Sequence, residues 1–142
     1  MDLHCEFVAF EIKTMAKPIH QEVTFNATPQ AVYDAYMNPE HRAQYTEGAV
    51  EISQEDGGSF SAHGGIIVGR NVELIAGQRI VQAWRNSQWP EGLYTTVHME
   101  LTAEGDGTKL VMDHYGVPDE SEDGVASGWE ARYWEPMKKF LG

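Results

Sequence analysis

Hydrophobic and polar positions alternate with period two from residue 19: Ile19, Val23 and Phe25 fall on one side, His20, Glu22 and Thr24 on the other, the pattern of a half-buried strand. Thr28-Pro29 then predicts a helix start, with threonine suited to cap free amides and proline to the first helical position. Val32, Tyr33 and Tyr36 give that helix its apolar stripe, Asn38-Pro39 ends it, and a second short helix is predicted over Glu40 to Tyr45. From Val50 the period returns to two. Val50 and Ile52 lead through Glu55-Asp56-Gly57-Gly58, a hairpin signal, to Phe60 and Ala62. Gly64-Gly65 marks a turn or bulge before a strand over Ile66 to Leu74, and Gly77 separates it from Arg79 to Arg85. After Trp89-Pro90-Glu91-Gly92, Val97, Met99 and Leu101 alternate with His98 and Glu100, and Gly105-Asp106-Gly107 hands over to Leu110, Met112 and His114. The chain closes on Trp129, Tyr133, Met137 and Phe140, whose i, i+4, i+8, i+11 spacing makes one aromatic face of a helix. Pro136 lacks an amide proton and crowds the carbonyl of Arg132, so a bend or a new segment is expected there.

This order, strand, two helices, six strands and a terminal helix, predicts an α+β fold: a curved antiparallel sheet of six to seven strands, two short helices after the first strand, and a long C-terminal helix across the concave face. Val97, Met99, Leu101, Leu110 and Met112 should face that helix and His98, Glu100, Lys109 and Asp113 the solvent, because a one-residue slip would reverse every assignment together.

With 142 residues, 42% of them hydrophobic, the chain is expected to form one domain with a core of its own, and no run reaches membrane-spanning length. Its formal net charge of -12 argues against a nucleic-acid partner, which would require a basic face. Asp119, Glu120, Glu122 and Asp123 read as a solvated acidic loop. The single cysteine, Cys5, has no partner for an intramolecular disulfide, and no secretory pattern opens the chain, so a cytoplasmic setting is expected. Residues 1–15 read as an N-terminal extension or an added edge strand, with Met15-Ala16-Lys17-Pro18 resembling a second start, and residues 16–142 as a single domain.

The ordered set Trp84-Arg85, Trp89-Pro90-Glu91-Gly92, Gly116-Val117-Pro118, Gly128-Trp129, Tyr133, Pro136 and Lys138 resembles the C-terminal domain of the heat-shock protein 90 ATPase activator family, within the helix-grip (SRPBCC, START-like, Bet v-like) superfamily. Phe25-Asn26-Ala27-Thr28-Pro29 and Asp56-Gly57-Gly58-Ser59-Phe60 extend the likeness over Ile19 to Leu141. The resemblance implies a helix-grip fold with a cavity walled by Tyr33, Tyr36, Phe60, Trp84, Trp129 and Tyr133, each of which reads equally as packed core. The eukaryotic activator also carries a separate N-terminal domain with a leader rich in asparagine and tryptophan, and Met1 to Lys17 contains neither. The expectation is therefore a non-enzymatic module that binds an apolar or partly polar small molecule more readily than it stimulates a chaperone ATPase. The alternatives are a co-chaperone-like interaction module, with a chaperone as partner, and a superfamily hydrolase or cyclase; the domain would act as a monomer or homodimer.

Two polar positions complicate the strands. His114 shares a face with Leu110 and Met112 and is read as a core histidine bonded to a neighbour, or else as a ligand anchor or acid/base group. Arg70 falls on the face of Ile66, Val68, Val72 and Leu74, where it is either paired or carried to the rim. The six histidines form no pair at close helical spacing, so neither a metal nor a cofactor is expected. Without a Gly-x-Ser-x-Gly elbow or a phosphate loop, no catalytic residue is assigned.

Overall fold

β1 (Ile19–Phe25) opens the part of the chain, residues 18–142, that the computed structural model describes; the expectations for Met1 to Thr14 and for Cys5 lie outside those residues. Its alternation is realised, with Ile19, Val23 and Phe25 buried and His20, Glu22 and Thr24 exposed. The Thr28 hydroxyl accepts from the Ala31 amide at 3.2 Å and starts α1 (Pro29–Met37), which buries Val32, Tyr33, Ala35, Tyr36 and Met37. Asn38 then does two jobs: its extended backbone ends α1, and its Oδ1 accepts from the amides of Glu40 (2.9 Å) and His41 (3.2 Å) to start α2 (Pro39–Ala43).

The remaining strands are β2 (Glu51–Ile52), β3 (Ser59–Ala62), β4 (Ile67–Ile75), β5 (Arg79–Asn86), β6 (Thr95–Glu104) and β7 (Gly107–Tyr115). They form one antiparallel sheet of seven strands in the order β1-β7-β6-β5-β4-β3-β2. Met99 pairs with Met112 and Leu101 with Leu110, and these four with Val97 are buried on the inner face, while His98, Glu100, Lys109 and Asp113 remain partly exposed on the other. The α+β helix-grip architecture is thus present.

β4 departs from the expected phase. Its inward residues are Ile67, Gly69 and Asn71, and Ile66 and Val72 are 40% and 57% exposed. Phe60 on β3 explains this: Gly69 is its cross-strand partner, and a side chain at Gly69 would collide with the Phe60 ring and the Ala83 carbonyl. Arg70 therefore points outward, where its Nη1 donates to the Gly57 carbonyl at 3.0 Å, and a register shift between Asn71 and Glu73 ends the alternation.

The acidic run is solvated, as expected, but it is helical in form. Asp119–Ser121 make a 3-10 turn, and Glu122 and Asp123 occupy the first turn of α3 (Glu122–Trp129), where carboxylates complement the positive end of the helix dipole. A π-helical turn, Glu130–Trp134, follows, and α4 (Glu135–Leu141) completes the tail. Pro136 has no N–H for the Arg132 carbonyl, and the ladder opens there, with the Glu135 amide donating back to Glu130. The wider turn brings both Tyr133 and Trp134 into the core at 3% exposure each; the helical stripe had included only Tyr133. No helix among the described residues is long and apolar enough to cross a membrane.

Candidate functional site

Trp129 is the hub of the space between the terminal helix and the sheet. Its ring lies 4.7 Å from Tyr133, 5.3 Å from Trp134 in a stacked arrangement, 6.0 Å from Trp84 and 6.3 Å from Tyr36. Trp84 is buried because Ile80, Gln82 and Trp84 form the inward row of β5. Where a helix-grip cavity was expected, these side chains are packed against one another.

His114 is embedded in this cluster at 1% exposure. The Trp129 indole N–H donates to its Nδ1 at 3.1 Å, so the ring proton resides on Nε2, which donates to the Thr95 hydroxyl at 2.8 Å; that hydroxyl in turn donates to the Trp84 carbonyl at 2.7 Å. Burial pushes the imidazole down to about 3, so it is neutral. Both ring nitrogens are engaged inside the protein, the geometry of a satisfied core histidine.

A second polar chain comes from residues that the sequence did not single out. Arg42 on α2 is 3% exposed; its guanidinium donates to the Tyr36 carbonyl at 3.0 Å and to the Tyr133 hydroxyl at 2.8 Å, and lies 4.6 and 4.7 Å from the centres of those two rings. No carboxylate pairs with it among the described residues, and its Nε has no acceptor. Aromatic faces thus take the place of a counter-ion. The Tyr133 hydroxyl, having accepted from Arg42, donates to His63 Nε2 at 3.0 Å. His63 has a left-handed backbone (φ 54°) at the 3-10 turn His63–Gly65, and burial first, then Arg42, hold its imidazole below the usual histidine range. The Gly64-Gly65 pair that follows His63 was the available sequence signal of an unusual turn; burial of an arginine without an acid has no sequence signature.

Two clefts meet at His63. One, about 470 Å³, is lined by Trp84, Trp89, Trp129, Asn86, Gly128 and Arg132 among others; the second, about 480 Å³, reaches past Tyr45, Glu47 and Ile66 to Pro136. Both include His63, Ala131 and Arg132. Of the expected cavity residues, Tyr36, Trp84, His114, Trp129 and Tyr133 converge on the cluster. Tyr33 and Phe60 are buried but join none of its ring pairs among the described residues, and Arg70 is on the outer face. Among the described residues no group of three or more His, Cys, Asp or Glu could hold a metal.

Comparison with known proteins gives these features a context. A family model described as Activator of Hsp90 ATPase homolog 1-like protein matches residues 26–142. The Activator of 90 kDa heat shock protein ATPase homolog 1 of Homo sapiens is 27% identical over 139 residues, an alignment covering 92% of this chain and 41% of that protein. Its counterpart in Dictyostelium discoideum is 28% identical over 127 residues, covering 89% of this chain and 33% of the relative. The chain thus spans about two fifths or less of these relatives. Among solved structures, an HSP90 activator from Plasmodium falciparum superposes with a TM-score of 0.80 at 23% identity, covering 87% of this chain and 96% of that one. The Aha1 dimer from Colwellia psychrerythraea gives 0.74 at 13% identity, covering 87% and 95%. At such identities the structures speak for the fold alone.

Proposed function

Because the chain belongs to the family of activator of Hsp90 ATPase homolog 1-like proteins, we propose that it is a protein-interaction module that engages an Hsp90-type chaperone. The observation that carries this reading is the filled interior. Trp129, Tyr133, Trp134 and Met137 occupy the concave face at 0–3% exposure, and His114 spends both nitrogens on its neighbours. Space that would hold an enclosed ligand is taken by the chain itself, and the side chains available to a partner are on the surface. The chain is acidic, with a formal net charge of -12, and would complement a partner surface that is basic. A cytoplasmic setting goes with this partner.

The test is to add the purified full chain to the Hsp90 of its own source and to follow both binding, by calorimetry, and ATP hydrolysis. Saturable binding with a change in turnover is the expected result. Absence of binding at concentrations of about 100 μM, an affinity weaker than most functional complexes, would refute the reading.

The rim clefts favour a second reading, a small-molecule site at the edge of the packed core, with Trp84, Trp129 and Tyr133 in its lining. A volume of about 470 Å³ falls within the span of small-ligand pockets, ~300–1,000 Å³. An enzyme of the same superfamily draws less support, since the buried histidine offers no free nitrogen to a substrate.

A further inference from the structure

We propose that the cleft between α3 and β5 binds a planar aromatic carboxylate. This rests on the small-molecule reading and names its ligand class. The shape of the cleft comes first: half-buried Trp89 presents its indole to the site, 5.7 Å from Trp84, which with Trp129, 6.0 Å further in, forms the packed floor at 5% and 1% exposure. Planar rings favour offset or edge contacts with such surfaces.

Two positions of α3 in the same lining carry no side chain. Gly124 and Gly128 lie one turn apart on α3, and both line the cleft. A Cβ on either would meet nothing within 4 Å, and neither has a positive φ. Neither close packing nor backbone conformation within the described residues accounts for them. Glycine is disfavoured at interior helix positions relative to alanine, so two of them here hold open a space at some cost to the helix.

Three residues of the lining, Asn86, Trp84 and Arg132, carry donor groups, whereas the Ser127 hydroxyl donates to the Gly124 carbonyl, the Ser121 hydroxyl accepts from the Trp89 indole, and His63 and Tyr133 bond to each other. Asn86 Oδ1 already accepts from the Gln88 amide at 2.8 Å, which leaves its NH2 group. Trp84, 5% exposed, has an indole N–H that is buried without an acceptor, a condition that asks for an explanation in a native structure. Arg132 makes no ion pair among the described residues. The chain has 22 acidic residues against 10 lysines and arginines, yet no carboxylate lines this cleft, and Arg132 supplies its charge. An ionised carboxylate only accepts hydrogen bonds and pairs with a guanidinium through two of them, so it matches what the lining offers. The attached ring lies against the indoles.

The experiment uses 2-naphthoate and 2-naphthamide, an acid and a neutral amide of the same shape, titrated into the full chain while indole N–H signals are followed by NMR. The naphthoate is expected to shift the Trp84 and Trp89 signals saturably and to bind about tenfold more tightly than the amide, the scale of one charge-assisted contact. Arg132→Gln should remove that preference. Gly128→Leu, or Gly124→Leu, should fill the cleft and abolish binding of both probes without lowering the unfolding temperature. Equal binding of acid and amide would overturn the carboxylate inference while leaving the small-molecule reading in place. No binding of either at millimolar concentration, or undiminished binding to Gly128→Leu and Gly124→Leu, would overturn both.

Discussion

His114 ties the stability of the domain to pH. Its imidazole titrates near 6.5 when free and at about 3 in the fold, where burial excludes the charge. Between those values the unfolded chain binds a proton that the folded chain does not, so stability falls as pH is lowered through that window, by at most about 1.4 kcal/mol per pH unit. His63, held down by burial and Arg42, acts in the same direction, whereas His20, raised by Asp113 and Glu22 on the surface, acts oppositely. Urea unfolding at pH 7, 6 and 5 should give a shallower acid slope for His114→Gln than for the parent, and equal slopes would show that His114 becomes charged without unfolding. A second prediction follows the buried cation. Arg42→Leu removes one of the influences that depress His63, so the His63 imidazole should titrate higher, as read from its ring proton shifts; an unchanged titration would assign the depression to burial alone. The inward face of His114 was legible from its alternation with Leu110 and Met112. Its partners were not, because Thr95 and Trp129 meet it only through pairing of distant strands and docking of the helix.

Element by element, the boundaries that were legible are those with a local chemical cause. Thr28-Pro29 and Asn38-Pro39 set both short helices because cap and proline act on adjacent residues. β4 was misread because its outward positions, Val68 and Val72, are apolar and its inward ones include Gly69 and Asn71; the choice is made by Phe60 on the neighbouring strand. Gly69→Ala should therefore destabilise the protein by ~1–3 kcal/mol, the usual cost of overpacking, measured as a fall in the urea midpoint. An unaltered midpoint would mean that both the Phe60 ring and the β5 backbone at the Ala83 carbonyl can give way. The terminal helix was recognised by its aromatic stripe, but the π turn before Pro136 was not, and with it went Trp134, whose indole N–H donates to Gln21 Oε1 at 2.6 Å. Trp129 links that helix to β5, β7 and α1 at once, so Trp129→Ala should cost ~3–5 kcal/mol, the range for a buried aromatic. A loss below ~1 kcal/mol would mean that the cluster repacks around the gap.

For the molecule as a whole, the sheet was legible because Val97 to Leu101 and Leu110 to Met112 alternate without interruption, and register follows once one face must be buried. Whether the space under the helix is empty or full was not, since stripe residues such as Trp129 and Tyr133 serve a cavity wall and a packed core equally. The structure fills it and moves the accessible features to the surface, where charge becomes the dominant property. Twenty-two acidic residues against ten lysines and arginines produce a field that extends beyond any single contact. If the domain meets a chaperone through that field, association should accelerate at low ionic strength and slow as salt shortens the screening length from roughly 30 Å at 0.01 M to about 8 Å at 0.15 M. Stopped-flow mixing with the cognate Hsp90 at several salt concentrations would reveal this as a falling on-rate with a comparatively constant off-rate, because rim charges steer encounter more than they hold the bound state. An on-rate indifferent to salt would place the contact on apolar surface instead, and Tyr94 and Tyr115, 55% and 45% exposed at the open end of the β6–β7 hairpin, are the side chains whose alanine variants should then raise the off-rate.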